Sequence, residues 1–371
     1  MTITEERFAS VGAAFRSGAQ SYGAFGAPLY SALCLAGAED REIVELATHA
    51  QLGAQPVFHL LTAVHYLILG NPDDPLAHYF ATLAAEPLPA QEAWPSFKHF
   101  CRTRRDQIIE TLSNTTVQTT FADRCATILA PIAWVANAVG EPLHLIEIGC
   151  SAGVLLTFDR YAYEFEGHAR FGAADARLTF SASIKGDPPL RIPQIASRTG
   201  LDLRPLDARK PEERRWLIAQ IFPEYRRQRE QLDVALDVVA ATDLRMLKGD
   251  ALETLPGLVD ETDDPICIFH SVCLSYWTEQ ARAKLDTMLT SASGNGRTIY
   301  RVGSEPSARF SAWNKWHDRT QNEKPPPSGE ITMTRYAGGE MDSQIVATNG
   351  VGRPMEWTGW TDSLSDVQTR R

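Results

Sequence analysis

The stretch His144-Leu-Ile-Glu-Ile-Gly-Cys-Ser-Ala-Gly-Val154 constrains this chain more than any other. Leu145, Ile146 and Ile148 make an apolar run too short for a helix of its own, interrupted by the single acid Glu147. Gly149 and Gly153 then bracket a tight turn. This is the pattern of a buried parallel strand ending in a sharp bend. Beyond it Val154, Leu155, Phe158 and Tyr161 recur at helical spacing, so the stretch predicts strand, turn and helix. A helix starting there would direct its free N–H groups and positive dipole end into a crevice, which makes a ligand site by geometry.

The rest of the chain arranges itself around that unit. Residues 1–140 read as an all-helical N-terminal domain, with helical patterns over 6–16, 28–35, 41–48, 56–69, 76–84, 91–112 and 121–139. The segment 56–69 is apolar on more than one face, so this layer is a genuine core. After 143–148, further strand candidates fall at 200–205, 244–250, 265–270 and 298–302, alternating with helices. One of those helices opens at Pro211 and turns Trp216, Leu217 and Ile221 inward. An irregular region, 165–198, holds a short alternating run at 176–182 and predicts a hairpin inserted beside the sheet. Near the end, 331–336 and 344–348 flank Gly338-Gly339 as a hairpin, after a short helix at 313–319 and an exposed linker at 324–329. The expected fold is α/β: a Rossmann-like, mostly parallel sheet over 141–360 with an antiparallel C-terminal hairpin, preceded by the helical domain and followed by a flexible tail, 361–371.

Charge narrows the function classes. A net charge of -10 opposes non-specific attraction to phosphate backbones, and in the Arg-rich stretch 204–229 the acids Glu212, Glu213 and Glu224 are interleaved, as on a solvated helix face. No nucleic-acid partner is expected. The apolar stretches 56–69 and 128–139 fall short of a membrane span, and residues 1–20 lack the charged start and apolar middle of a secretory signal. The expected location is therefore cytoplasmic, with no membrane partner. The six cysteines, at 34, 101, 125, 150, 267 and 273, show no C-x-x-C spacing, so neither a metal site nor structural disulfides are expected.

The stretch Glu147-Ile-Gly-Cys-Ser-Ala-Gly153 resembles the first motif of class I S-adenosylmethionine-dependent methyltransferases, E/D-x-G-x-G-x-G, with Ser151 at the middle glycine. The resemblance covers 143–350 and implies a seven-stranded sheet with an antiparallel last hairpin. It also implies S-adenosylmethionine as cofactor, held by Glu147, Gly149, Ser151 and Gly153, with Asp202 on the ribose and Asp250 near the adenine. The chain as a whole is similar to an uncharacterised bacterial domain-of-unknown-function family with an E-I-G-x-S-A-G loop, which brings no settled activity. Two departures stand out. Asp202 lies 53 residues beyond Gly149, where a plain nucleotide fold places its ribose acid about 20 residues on; the inserted hairpin would account for the excess. At Val117-Gln-Thr-Thr-Phe-Ala-Asp-Arg124, where the uncharacterised family carries Gln-Thr-Asn-Glu, Thr120 and Phe121 replace the polar pair. Gln118 and Arg124 remain candidates for substrate contact.

Each of these residues also has a purely architectural reading. Gly149 and Gly153 serve any tight turn packed against a strand, and Glu147 can cap backbone N–H groups. Asp202 and Asp250 can each cap the element that follows. His270, the one catalytic candidate, ends a buried strand and reads equally as a satisfied core histidine. A rival chemistry occupies the same residues: Gly149-x-Ser151-x-Gly153 is also the nucleophile elbow of α/β-hydrolases, with Asp243 or Asp250 and His270 or His317 to complete a triad. The helical character of the first 140 residues, with no Gly-rich oxyanion loop, counts against it. The expectation is a methyltransferase acting on a small molecule, its helical domain covering the sheet's carboxyl edge and alignment and water exclusion carrying catalysis. A non-catalytic ligand-binding module on the same fold is the alternative.

Overall fold

Contacts divide the chain into two units, Met1–Phe121 with Ala208–Asp233, and Ala122–Asp207 with Val234–Arg371. The structure is a computed structural model that describes residues 4–51, 55–308, 328–350 and 353–361. The expected helix at 313–319 with His317, the 324–327 part of the linker, and the tail beyond Thr361 lie outside the described residues.

The first unit is helical. It contains α1 (Glu5–Ala24), α2 (Pro28–Gly37), α3 (Arg41–Ala47), α4 (Pro56–Leu69), α5 (Trp94–Thr103) and α6 (Arg105–Asn114). Local chemistry sets their starts: Thr4 accepts the Arg7 N–H, Asp40 accepts those of Glu42 and Ile43, and proline opens α2 and α4. Every residue from Val57 to His65 in α4 is buried, as its all-round apolar surface requires. The next helix, α7 (Arg124–Val139), belongs to the second unit, so the contact boundary falls ahead of α7 rather than after it. The helical unit regains α8 (Pro211–Ala219) and the first part of α9 (Arg226–Ala240). Trp216 of α8 is buried and donates its indole N–H to the Thr116 carbonyl at 3.0 Å. Phe222 sits edge-on to Tyr22, Tyr30 and Phe58, at centroid distances of 5.6, 5.6 and 5.7 Å.

The second unit is built on β1 (Leu143–Ile148), β2 (Ala162–Phe165), β3 (Phe171–Gly172), β4 (Thr179–Ala182), β5 (Ile184–Lys185), β6 (Ile195–Asp202), β7 (Arg245–Lys248), β8 (Ile266–Ser271), β9 (Thr298–Pro306), β10 (Gly329–Ala337), β11 (Glu340–Gly350) and β12 (Arg353–Trp357). Among the described residues, nine of these form one sheet in the order β5-β12-β11-β10-β9-β8-β1-β6-β7. The five strands from β9 to β7 are parallel, and β10, β11 and β12 continue from β9 as antiparallel neighbours. The β10–β11 turn is Gly338-Gly339 with φ of 59° and 79°, the two-residue hairpin turn that glycine favours. Ile146, Ile148, Ile266 and Ile268 share one face with α10 (Ala251–Asp260) and α11 (Glu279–Ala292). Alternation therefore puts Glu147 on the opposite face.

Two expectations fail here. The turn after β1 opens no α-helix: Leu155–Arg160 is a single 3-10 stretch that runs into β2. Leu155, Leu156, Thr157 and Phe158 are all buried, leaving no polar face for a helix, and the Thr157 hydroxyl donates back to the Val154 carbonyl at 2.8 Å. The region after β2 is also no hairpin beside the main sheet. β2, β3 and β4 form a separate sheet ordered β3-β2-β4, and β5 instead pairs with β12 at the main sheet's far edge. Tyr163, Phe165 and Phe171 stack within it, with Phe180 against Tyr161, so the small sheet has an aromatic core of its own.

Candidate functional site

The parallel strand order reverses at β1, with β6 and β7 on one side and β8 and β9 on the other. Connections leaving β1 and β8 diverge at such a point, and open α/β sheets bind ligands in the crevice beyond those carboxyl ends. The residues there come from five strand ends.

The β1 turn is tied to β6. Gly149 N–H donates to the Leu201 carbonyl at 2.8 Å, and Gly153 N–H to the Cys150 carbonyl at 2.7 Å. Asp202 spans the same joint, one carboxylate oxygen accepting the Ser151 N–H at 2.9 Å and the other the Arg204 N–H at 2.8 Å. Ser151 is buried and holds φ of 51°, a left-handed conformation uncommon outside glycine. Gly149, with φ of 75°, has no room for a side chain: a Cβ there would clash with Cys273 Sγ. At Gly153 the corresponding neighbour is Leu244 Cδ1, at 2.9 Å. Asp250 caps α10 by accepting the Leu252 N–H at 2.8 Å and is exposed.

Glu147 is buried, and its Oε2 has no hydrogen-bond partner. Burial, reinforced by the Asp202 charge, raises its carboxyl well above the usual carboxylate range, while Arg124 pulls the other way. Arg124 opens α7, where desolvation works against its charge and the acids Asp123, Glu305 and Glu147 support it. Gln118 lies in the helical unit, its backbone N–H held by the Gln220 side chain.

His270 is enclosed and used on both ring nitrogens: Nδ1 lies 2.7 Å from Glu305 Oε1, and Nε2 lies 3.3 Å from Arg301 Nη1. The carboxylate accepts a hydrogen bond from Nδ1–H and the guanidinium donates to Nε2, so the ring is neutral. Burial lowers its pKa, against the pull of Glu305. Glu305 was invisible to pattern reading, because it lies beyond the apolar 298–302 run. Burial raises its carboxyl, but His270 and the N–H groups of Cys273 and Leu274 outweigh that and hold it low.

A family profile described as an uncharacterised protein conserved in bacteria, DUF2332, matches residues 12–357. The chain belongs to that family. No curated protein matches this DUF2332 chain. The matched span takes in every strand end described above. On the β1, β6 and β7 side, the DUF2332 protein brings together Glu147, the Gly149–Gly153 turn and the Asp202 carboxylate, with Asp250 at the next strand end. On the β8 and β9 side it places His270 inside a network rather than at a surface. Asp243 is exposed. A cleft of about 270 Å³ opens at the amino ends of the strands, lined by His144, Ser197, Thr199, Arg245 and Glu261. Among the described residues of this DUF2332 chain, no helix is long and apolar enough to cross a membrane.

Proposed function

We propose that this protein is an S-adenosylmethionine-dependent methyltransferase acting on a small molecule, with the cofactor at the carboxyl ends of β1, β6 and β7. One observation carries the reading: Glu147, Asp202 and Asp250 stand at or just beyond three adjacent parallel strand ends, and the first two flank the Gly149–Gly153 turn. The parallel strands run 3-2-1-4-5 in their own chain order, the order of Rossmann-like nucleotide folds. The residues fit the group. Glu147 keeps a buried oxygen without a partner beside the turn, a cost of about 1–3 kcal/mol that a hydrogen-bonding group on a ligand would relieve. S-adenosylmethionine supplies a methyl group on a sulfonium leaving group; the chain's part is to bind, align and exclude water.

One observation favours the non-catalytic module as a second reading. Protein atoms fill the space beside both glycines, with Cys273 at one and Leu244 at the other, as a purely architectural turn would have it. The strained Ser151 suits a nucleophile elbow, but His270 has both nitrogens engaged and no α-helix follows the turn.

The deciding measurement is thermal unfolding with S-adenosylmethionine or its demethylated product. At 100 times the dissociation constant either ligand adds about 2.7 kcal/mol to the native state. A rise in melting temperature with both, followed by methyl transfer to an acceptor from a small-molecule pool, is the expected outcome. A rise without transfer leaves the module. No rise with either removes the cofactor.

A further inference from the structure

The loop leaving β8 lies against the Gly149–Gly153 turn through Cys273, and its backbone is under strain. Val272 holds φ of 51°, an outlier for a β-branched residue that persists only where the surroundings over-determine it. Val272 donates its own N–H to the Ser304 carbonyl at 2.9 Å, and the three residues after it are held by one carboxylate. Glu305 Oε1 accepts the N–H groups of Cys273 and Leu274 at 3.0 and 3.1 Å, and Oε2 accepts that of Ser275 at 3.1 Å. Three successive N–H groups converging on an anion make a backbone nest, here occupied by the protein's own side chain.

The carboxylate is itself held in place. His270 Nδ1 reaches Oε1 at 2.7 Å, Arg301 reaches the far side of that ring, and Arg301 is anchored by Asp286 at 2.6 Å and the Tyr336 hydroxyl at 2.8 Å. A chain of charged and polar contacts thus runs from α11 through β9 and β8 to the loop. The loop in turn touches the β1 turn, because Cys273 Sγ occupies the space beside Gly149 that a Cβ would fill.

We propose that Glu305 is a positioning residue of the ligand site: it clamps the 272–276 loop against the Gly149 turn and so fixes the width of the crevice. The proposal rests on reading that turn as a ligand loop, but the mechanical coupling it describes is testable without ligand. Glu305 lies on a different strand from every residue of the resembled motif. It acts through the backbone of Cys273, Leu274 and Ser275, and its side chain leaves the substrate untouched.

The test is amide hydrogen exchange on the full chain, comparing wild type with Glu305→Gln, which keeps the shape but replaces one acceptor oxygen with a donor. Exchange should quicken at least tenfold both in 272–277 and in 149–154, with the helical unit unchanged. Quickening confined to 272–277, or absent from both, overturns the proposal, since a merely local cap would loosen its own loop alone. Glu305→Asp keeps the charge on a shorter arm and should fall between the two; it carries the comparison if the Gln variant does not fold. A calorimetric titration with the demethylated cofactor separates the layers. Binding by wild type and at least tenfold weaker binding by Glu305→Gln supports the clamp, and equal affinities overturn it. A wild type that fails to bind overturns the functional reading, and exchange then decides the clamp by itself.

Discussion

Asp202 does two jobs that pull its mutants in different directions. Its carboxylate stitches the β1 turn to β6 through the N–H groups of Ser151 and Arg204, and in the proposed function it also receives the cofactor ribose. Asp202→Ala therefore has a ligand-free cost. Hydrogen bonds to a charged acceptor are worth about 1.5–3 kcal/mol, and partial access of water to this half-buried group trims the expected loss to about 1–2 kcal/mol. Urea denaturation of the apo protein reads that loss directly, and a change under about 0.5 kcal/mol would show that water replaces both contacts. A tenfold to hundredfold drop in affinity for the demethylated cofactor, measured in the folded mutant, isolates the second job. At this scale the sequence was informative where chemistry is local. The spacing of Gly149 and Gly153 announces a turn, and an acid directly before the 251–260 helix announces the cap that Asp250 makes. Glu305 and Arg301 were hidden because their partners sit on other elements, more than 30 residues away for His270 and Arg301 and for Glu305 and Cys273.

The helical layer shows what an element's burial does to its titrating groups. His65, on α4, is fully buried, with Nδ1 at 3.0 Å from the Ala219 carbonyl and Nε2 at 2.8 Å from the Thr82 hydroxyl, and burial pushes its pKa down to about 3. His59, six residues earlier on the same helix, goes down to about 4 for the same reason. Both are neutral at pH 7 in either state. As pH falls through the ordinary value of 6.5, the unfolded chain takes up protons that the native helix refuses, so native stability is lost from there down to the native pKa. Each histidine sets a limiting slope of about 1.4 kcal/mol per pH unit. Urea midpoints at pH 7, 6 and 5 should fall steeply for wild type and less steeply for His65→Asn; parallel slopes would mean that His65 protonates in place. Elements of this kind were the most legible part of the chain, since period and capping act within a few residues. The helix expected after Gly153 failed for a tertiary reason: Leu155 to Phe158 are buried all round, and the chain is drawn directly into β2.

The path of the chain through its two units sets how the molecule can be cut. A contiguous reading places the end of the helical domain at residue 140, yet the helical unit recruits Ala208–Asp233. The reason lies in composition. That segment is so rich in Arg and Glu that its apolar residues look like the inner stripe of one more sheet-covering helix, whereas Trp216, Leu217 and Ile218 are buried and Phe222 packs among Tyr22, Tyr30 and Phe58. Glu224 adds a further tie by accepting the Leu29 N–H at 2.9 Å. A fragment covering 1–121 keeps α1 to α6 but loses all of these. Removing one buried Trp or Phe side chain costs about 3–5 kcal/mol, which is comparable to the whole stability of a typical domain at about 5–15 kcal/mol once two such side chains and their neighbours are gone. The fragment is therefore expected to keep far-UV helical signal while losing near-UV signal and binding a hydrophobic dye, as compact states without fixed packing do. Adding a peptide covering 208–233 should restore the near-UV signal in a saturable way, because it returns Trp216 and Phe222 to the sites they leave open. Cooperative unfolding of 1–121 by itself, with full near-UV signal and no dye binding, would show that the helices close their own core and that 208–233 is an accessory.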